Sequence, residues 1–195
     1  EDDIQHDLYR PASYHHLRAE LDEEGQLLQW RHYLAVAGRG GATGTQLPYT
    51  LSDQQVENAS VTSAVPTGIW RAVDFTFNTF VVESFFDEVA AAAGADPYEL
   101  RYEMADSERL KAVIQLAAEN ADWGTPLPAG QGRGIAACAY GYGPTKTYVA
   151  QVAEVSVSDS GEVQVRRIVC AFDCGTVVNP DIVENQIEGS IAYGL

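Results

Sequence analysis

With 195 residues, 46% of them hydrophobic and 21% charged, the chain is long enough to bury one large core or two small ones. Twenty-eight acidic against twelve basic residues leave a formal charge of −16, which argues against nucleic acid or an anionic membrane as partner, since both call for a basic surface. No apolar run approaches the roughly 20 residues of a membrane-spanning helix.

The chain opens on Glu1-Asp2-Asp3, holds Met104 as its single methionine and stops at Leu195 inside an apolar helix pattern. It therefore reads as a piece of a longer protein, with any localisation signal upstream. Ala12 to Leu21 and Gln26 to Ala37 are strand-like and flank Asp22-Glu23-Glu24-Gly25, a turn with glycine where positive φ is needed, so the first element is a β-hairpin. Arg39-Gly40-Gly41-Ala42-Thr43-Gly44 has no G-K-S/T and no helix pattern after it, and reads as a flexible connector rather than a phosphate cradle. Val56 to Val65 predicts another strand, ended by Pro66-Thr67-Gly68.

The middle is helical. Val81, Val82, Phe85, Phe86, Val89, Ala90 and Ala93 form one apolar stripe, with Glu83, Ser84, Asp87 and Glu88 on the solvated side and Gly94 at the end. Asp96-Pro97-Tyr98-Glu99 carries an N-cap, a first-turn proline and an acid three residues on, which starts a second helix. A third places Leu110, Val113, Ile114, Ala117, Ala118 and Ala121 on one face and closes near Gly124. Thr125 to Gly134 reads as a Pro/Gly connector. A second hairpin joins Tyr148–Val157 to Val163–Phe172 through Ser158-Asp159-Ser160-Gly161, with Ile168 to Phe172 expected to dive into the interior. Asn179-Pro180 caps a last helix that runs to the end. Strands, then helices, then strands imply an α+β fold of hairpins packed with a central group of helices. The expected organisation is part of one domain over 1–195, with sub-lobes at 1–65 and 66–195.

Several groups that could carry chemistry fail on spacing. Cys138, Cys170 and Cys174 lack paired C-x-x-C spacing or neighbouring histidines, so they offer no disulfide framework or zinc site and read as small buried hydrophobes. His6, His15, His16 and His32 lack metal-ligand spacing, and the adjacent His15 and His16 point to opposite faces of a strand. Glu83 and Asp87 share a helix face, as solvated carboxylates commonly do. The last helix is more informative. Ile182, Val183, Ile187, Ile191 and Tyr193 define an apolar side, and Gln186 falls within it, whereas Asp181, Glu184, Asn185 and Glu188 face water. An amide there must find partners, either a neighbouring backbone or the edge of a heteroaromatic ligand that it can both donate to and accept from.

Asp173-Cys174-Gly175-Thr176-Val177-Val178-Asn179-Pro180, followed by Asn185-Gln186-Ile187-Glu188-Gly189 and Tyr193-Gly194-Leu195, resembles the D-x-G-x-x-x-N-P, Q-x-E-G and G-L signature of the xanthine dehydrogenase and aldehyde oxidase family. Pro66-Thr67-Gly68-Ile69-Trp70-Arg71, with Asn78 and the helix from Phe80 to Ala90, resembles that family's arginine loop and the helix after it. The P-x-G-x-W-R form and the Tyr9-Arg10-Pro11-Ala12-Ser13 opening are similar to the isoquinoline 1-oxidoreductase branch. The resemblance implies molybdenum held by molybdopterin, in bacteria as the cytosine dinucleotide. It further implies hydroxylation of N-heterocycles or oxidation of aldehydes with oxygen from water, and a partner subunit carrying two 2Fe-2S clusters. By carry-over, Gln186 matches the glutamine that binds the pterin, and Arg71 matches the loop arginine beside the molybdenum centre. Ala72-Val73-Asp74 stand where relatives usually have small residues or glycine. The family's catalytic glutamate, in a G-x-G-E stretch, and its G-G-x-F-G motif do not occur in this chain, so no residue is assigned a catalytic or metal-ligating role.

The sequence therefore predicts an α+β part of a molybdopterin-binding subunit, inactive and without cofactor when isolated, and self-associating through its last helix. Two rivals stand beside it. One is a non-catalytic acidic interaction module that kept the fold; the other is a membrane-linked aldehyde dehydrogenase subunit of the same family.

Overall fold

The computed structural model describes residues 7–195; the opening Glu1-Asp2-Asp3 and His6 lie outside the described residues. Two compact units emerge, Glu1–Leu100 and Arg101–Leu195. Helices and strands are mixed in both, as the α+β reading expects. No helix among the described residues is long and apolar enough to cross a membrane.

The first unit is built on a three-stranded sheet of order β1-β2-β3, with β1 (Ala12–Leu21), β2 (Leu27–Ala37) and β3 (Gln54–Val61). β1 and β2 form the expected antiparallel hairpin, with Ala12 opposite Ala37. Its turn is set by Gly25 at φ 82° and by the Asp22 carboxylate, which accepts the Glu24 and Gln26 N–H groups at 3.1 and 2.7 Å. β3 pairs with β2 in parallel, so the chain must cross over between Gly38 and Asp53 before it can pair. The strand expected over Val56 to Val65 ends earlier, at Val61. Ala37 is the last β2 residue available to pair, and Gly38, at φ 95°, turns away while its N–H closes the ladder on Val61.

Side chains alternate along β2, so Trp30, His32, Leu34 and Val36 are buried and Leu28 and Tyr33 exposed. Helix α1 (Phe75–Ala93) lies against this face. The Phe85 ring meets Trp30 edge-on at 5.1 Å, and Phe86 lies 4.4 Å from Tyr49. Val82, Phe86, Val89 and Ala90 are buried, as their spacing requires, and Gly94 at φ 66° ends the helix. One expectation fails: Glu83 is buried, not solvated. The Tyr49 hydroxyl donates to both of its carboxylate oxygens, at 3.0 and 3.2 Å, a partner 34 residues away that no local pattern reveals. Helix α2 (Pro97–Met104) starts where the Asp96 carboxylate accepts the Tyr98 and Glu99 N–H groups.

In the second unit, helix α3 (Glu108–Asn120) is capped by Ser107 and buries Leu110, Val113, Ile114, Ala117 and Ala118. It covers one face of an antiparallel sheet of order β4-β5-β6, with β4 (Gln131–Tyr140), β5 (Thr147–Val157) and β6 (Val163–Asp173). β4 corrects the connector expected over Thr125 to Gly134. Its glycines and alanines carry little strand signal, yet every one of its residues has a partner on β5, and Ile135 and Ala137 reach the core. β6 does not dive inward either. Only Ala171 in its apolar run is buried, because α3 covers one face and the alternation turns Phe172 to the other, where it is 39% exposed. Cys138 and Cys170 share that open face at half burial and Cys174 is likewise half-buried, so the cysteines expected to be small buried hydrophobes are only partly covered.

Helix α4 (Pro180–Gly194) begins as expected, with the Asn179 side chain accepting the Ile182 N–H and Pro180 in the first turn. Its apolar stripe is not a buried side, however. No residue of α4 is buried; Val183, Ile187 and Ile191 are half covered, and Ile182 and Tyr193 are more than half exposed.

Candidate functional site

Arg71 lies at the end of the loop that carries the Pro66–Arg71 motif in the first unit. Tyr9 and the Pro66–Gly68 segment exchange backbone hydrogen bonds of 3.0 Å, which fixes the motif against the N-terminal segment. Behind it, the Arg39 N–H donates to the Thr67 hydroxyl at 2.7 Å. The Arg39–Gly44 loop is not the loose connector expected. The Asn78 amide of α1 donates to the carbonyls of Gly41 and Thr43, both at 2.9 Å, and holds it in place.

Arg71 itself is exposed, and its carbonyl accepts the Thr76 hydroxyl at 3.3 Å. The two residues after it have φ 68° (Ala72) and φ 50° (Val73), a conformation suited to glycine. A β-branched residue there is a true outlier, and such strain costs on the order of 1–3 kcal/mol per residue. The loop thus keeps a glycine-type path without the glycines. Beside it lies a shallow open cleft lined by Arg10, Arg39, Trp70, Val73 and the buried Asp74, with the Arg10 guanidinium 5.3 Å from the Trp70 ring.

The histidines divide as the strand geometry demands. His16 is exposed, while His15 turns inward and its Nδ1 lies 2.9 Å from Nε2 of the fully buried His32, with the Phe77 ring beyond. Burial pushes His32 down to about 4, aided by the neighbouring His15, and burial lowers His15 too. Among the described residues, no group of three or more histidine, cysteine or carboxylate side chains could hold a metal ion.

In the second unit the loops at one end of the sheet are tied together by Arg109, which sequence reasoning did not single out. Its guanidinium grips the Asp173 carboxylate through two 2.7 Å hydrogen bonds, donates to the Lys146 carbonyl at 3.1 Å and stacks 4.8 Å from the Tyr148 ring. Asp173 also accepts the Gly175 N–H at 2.8 Å, and the ion pair with Arg109 is the main reason its carboxyl falls to about 2. The pair spans 64 positions of sequence, so no local signal could have found it. From this turn the chain enters α4, where Gln186 stands exposed. The structure therefore places Gln186 on an open helix surface, not in the buried position its neighbours suggested.

A family profile described as the molybdopterin cofactor-binding domain matches residues 71–195. A nicotinate dehydrogenase subunit of Pseudomonas putida is 34% identical over 74% of this chain and 13% of its own length. The β subunit of isoquinoline 1-oxidoreductase from Brevundimonas diminuta is 28% identical over 100% of this chain and 27% of its own. The chain thus spans well under a third of either relative. The aldehyde oxidoreductase of Desulfovibrio gigas shares the fold, with a TM-score of 0.52 at 20% identity over 80% of this chain and 21% of that structure. The match over most of the chain, the two relatives and the motifs at Arg71 and Gln186 place the chain in the molybdopterin cofactor-binding family, within its xanthine dehydrogenase and aldehyde oxidase group.

Proposed function

We propose that this chain supplies part of one wall of a molybdopterin site in a molybdenum hydroxylase. The observation that carries the reading is α4: it lies within the family-matched span, none of its residues is buried, and Gln186 stands exposed on it. The residues fit the group. The exposed Gln186 amide offers a donor and an acceptor in one plane, as the edge of a pterin requires; Arg71, in the other unit, is assigned by resemblance alone, with a guanidinium suited to oxo or phosphate oxygens. When bound, the cofactor supplies the redox metal centre; the chain holds and orients it. By analogy with the names of its relatives, the whole protein acts on N-heterocycles or aldehydes. It takes oxygen from water, passes electrons to a 2Fe-2S subunit and uses the cytosine dinucleotide form of the cofactor.

Molybdenum content tests this reading. In the full-length protein, Gln186→Ala is expected to lower bound molybdenum several-fold, an effect on the order of 1–2 kcal/mol for a lost amide pair. Asn185→Ala, one residue away, is expected to leave it unchanged, and the 195-residue chain alone to hold no stoichiometric metal. Equal metal in both variants would remove Gln186 from the site.

The half-covered stripe of α4 also has a consequence for the isolated chain. Burying a large aliphatic side chain is worth about 1.5–3 kcal/mol, and salt screens the opposing charge within roughly 8–10 Å. Light scattering of the isolated chain at ordinary ionic strength is therefore expected to give a dimer, and Ile187→Asp together with Ile191→Asp to give a monomer. A wild-type monomer would show that the stripe stays open.

A further inference from the structure

We infer that Arg109 is a positioning residue for α4, and so, on the reading that Gln186 holds the pterin, for the cofactor itself. α4 buries no residue and only Val183, Ile187 and Ile191 are half covered, so its place depends in good part on how the chain enters it from β6. That entry is the turn Asp173-Cys174-Gly175, with Gly175 at φ 77°. Arg109 fixes the turn with the planar fork of its guanidinium, two 2.7 Å hydrogen bonds to one carboxylate. The same carboxylate holds the Gly175 N–H, so carboxylate, turn and guanidinium lock as one.

The third bond of Arg109, to the Lys146 carbonyl, ties the loop between β4 and β5 to the same point. Lys146 in turn lies 3.3 Å from Asp106, just before α3. The guanidinium therefore joins the start of α3, the loop ahead of β5 and the exit of β6. These three segments meet where the chain leaves β6, a few residues ahead of Pro180, the first residue of α4. A lysine could supply the charge but not the fork, because an ammonium cannot hold both carboxylate oxygens and the carbonyl in one plane. The clamp belongs to the class of groups that orient a binding side chain without touching the ligand, whose loss typically weakens binding by about 10–100-fold.

The test uses the full-length holoprotein with Arg109→Lys, Arg109→Ala and Gln186→Ala, following molybdenum release after dilution and limited proteolysis of the segment 174–179. Arg109→Lys keeps stem and charge, which guards against simple failure to fold. It is expected to keep the parent's thermal midpoint, to release molybdenum roughly tenfold faster and to become cleavable within 174–179. Arg109→Ala is expected to go further in the same direction. If Arg109→Lys and Arg109→Ala release metal at the parent's rate and resist cleavage, the inference is overturned, whatever Gln186→Ala does. If Arg109→Lys opens the segment to protease and Gln186→Ala keeps its metal, the clamp on α4 is supported and it is the assignment of Gln186 that fails.

Discussion

Phe86→Ala is expected to lower the stability of the first unit by about 3–5 kcal/mol, the range for deleting a fully buried aromatic ring. Phe86 is completely inaccessible, with Tyr49 at 4.4 Å on one side and Trp30 at 6.4 Å on the other. No small side chain can replace those ring contacts. Domains of this size hold only about 5–15 kcal/mol in total, so the variant should be partly unfolded at 37 °C. Phe80 is the internal control. It lies on the same helix but is 71% exposed, and Phe80→Ala should stay within about 0.5 kcal/mol of the parent. Urea unfolding followed by near-UV circular dichroism separates the two. Equal midpoints for both variants would mean that α1 does not rest on the sheet through Phe86.

Acid is expected to weaken the same unit well before its carboxylates titrate. His32 has its folded value pushed down to about 4, against 6.5 for an unburied histidine. Between those values the unfolded chain takes up a proton that the folded chain refuses, so stability is full above pH 6.5 and falls as the pH drops towards 4. The loss is on the order of 3 kcal/mol, and His15 adds to it in the same direction, since burial lowers it as well. The His15 Nε2 atom has no hydrogen-bond partner among the described residues, so nothing compensates a charge placed there. Other groups titrate over the same interval, so the comparison must be internal. His15→Leu combined with His32→Leu should flatten the fall in unfolding free energy between pH 6.5 and 4. Parallel profiles for parent and double variant would show that the pair is not buried as described.

The elements were legible in the sequence wherever a local rule dictates them. Gly25, Gly94, Asp96 and Asn179 each act on backbone groups within a few residues, and each ends or starts an element at or next to the position read from sequence. The motifs from Pro66 to Arg71 and from Asp173 to Gly194 pointed to the family because their residue types recur at fixed spacing, a property that survives without coordinates. Tertiary structure alone decided what depends on distant partners. Glu83 lies on the charged side of its helix in sequence, and the Tyr49 hydroxyl, brought over from a loop, donates to its buried carboxylate. β4 has too few branched side chains to announce itself, and exists because β5 offers it a full ladder. Gln186 shows the converse: an apolar stripe predicts a buried face only if something covers it, and α4 has no buried residue at all. Arg109 was silent in the sequence because its meaning lies in Asp173, 64 residues away, whose carboxylate it holds where the chain leaves β6 on its way to α4. Local chemistry, then, wrote the elements and their ends, while burial and ion pairing, which are properties of packed neighbours, had to wait for the fold.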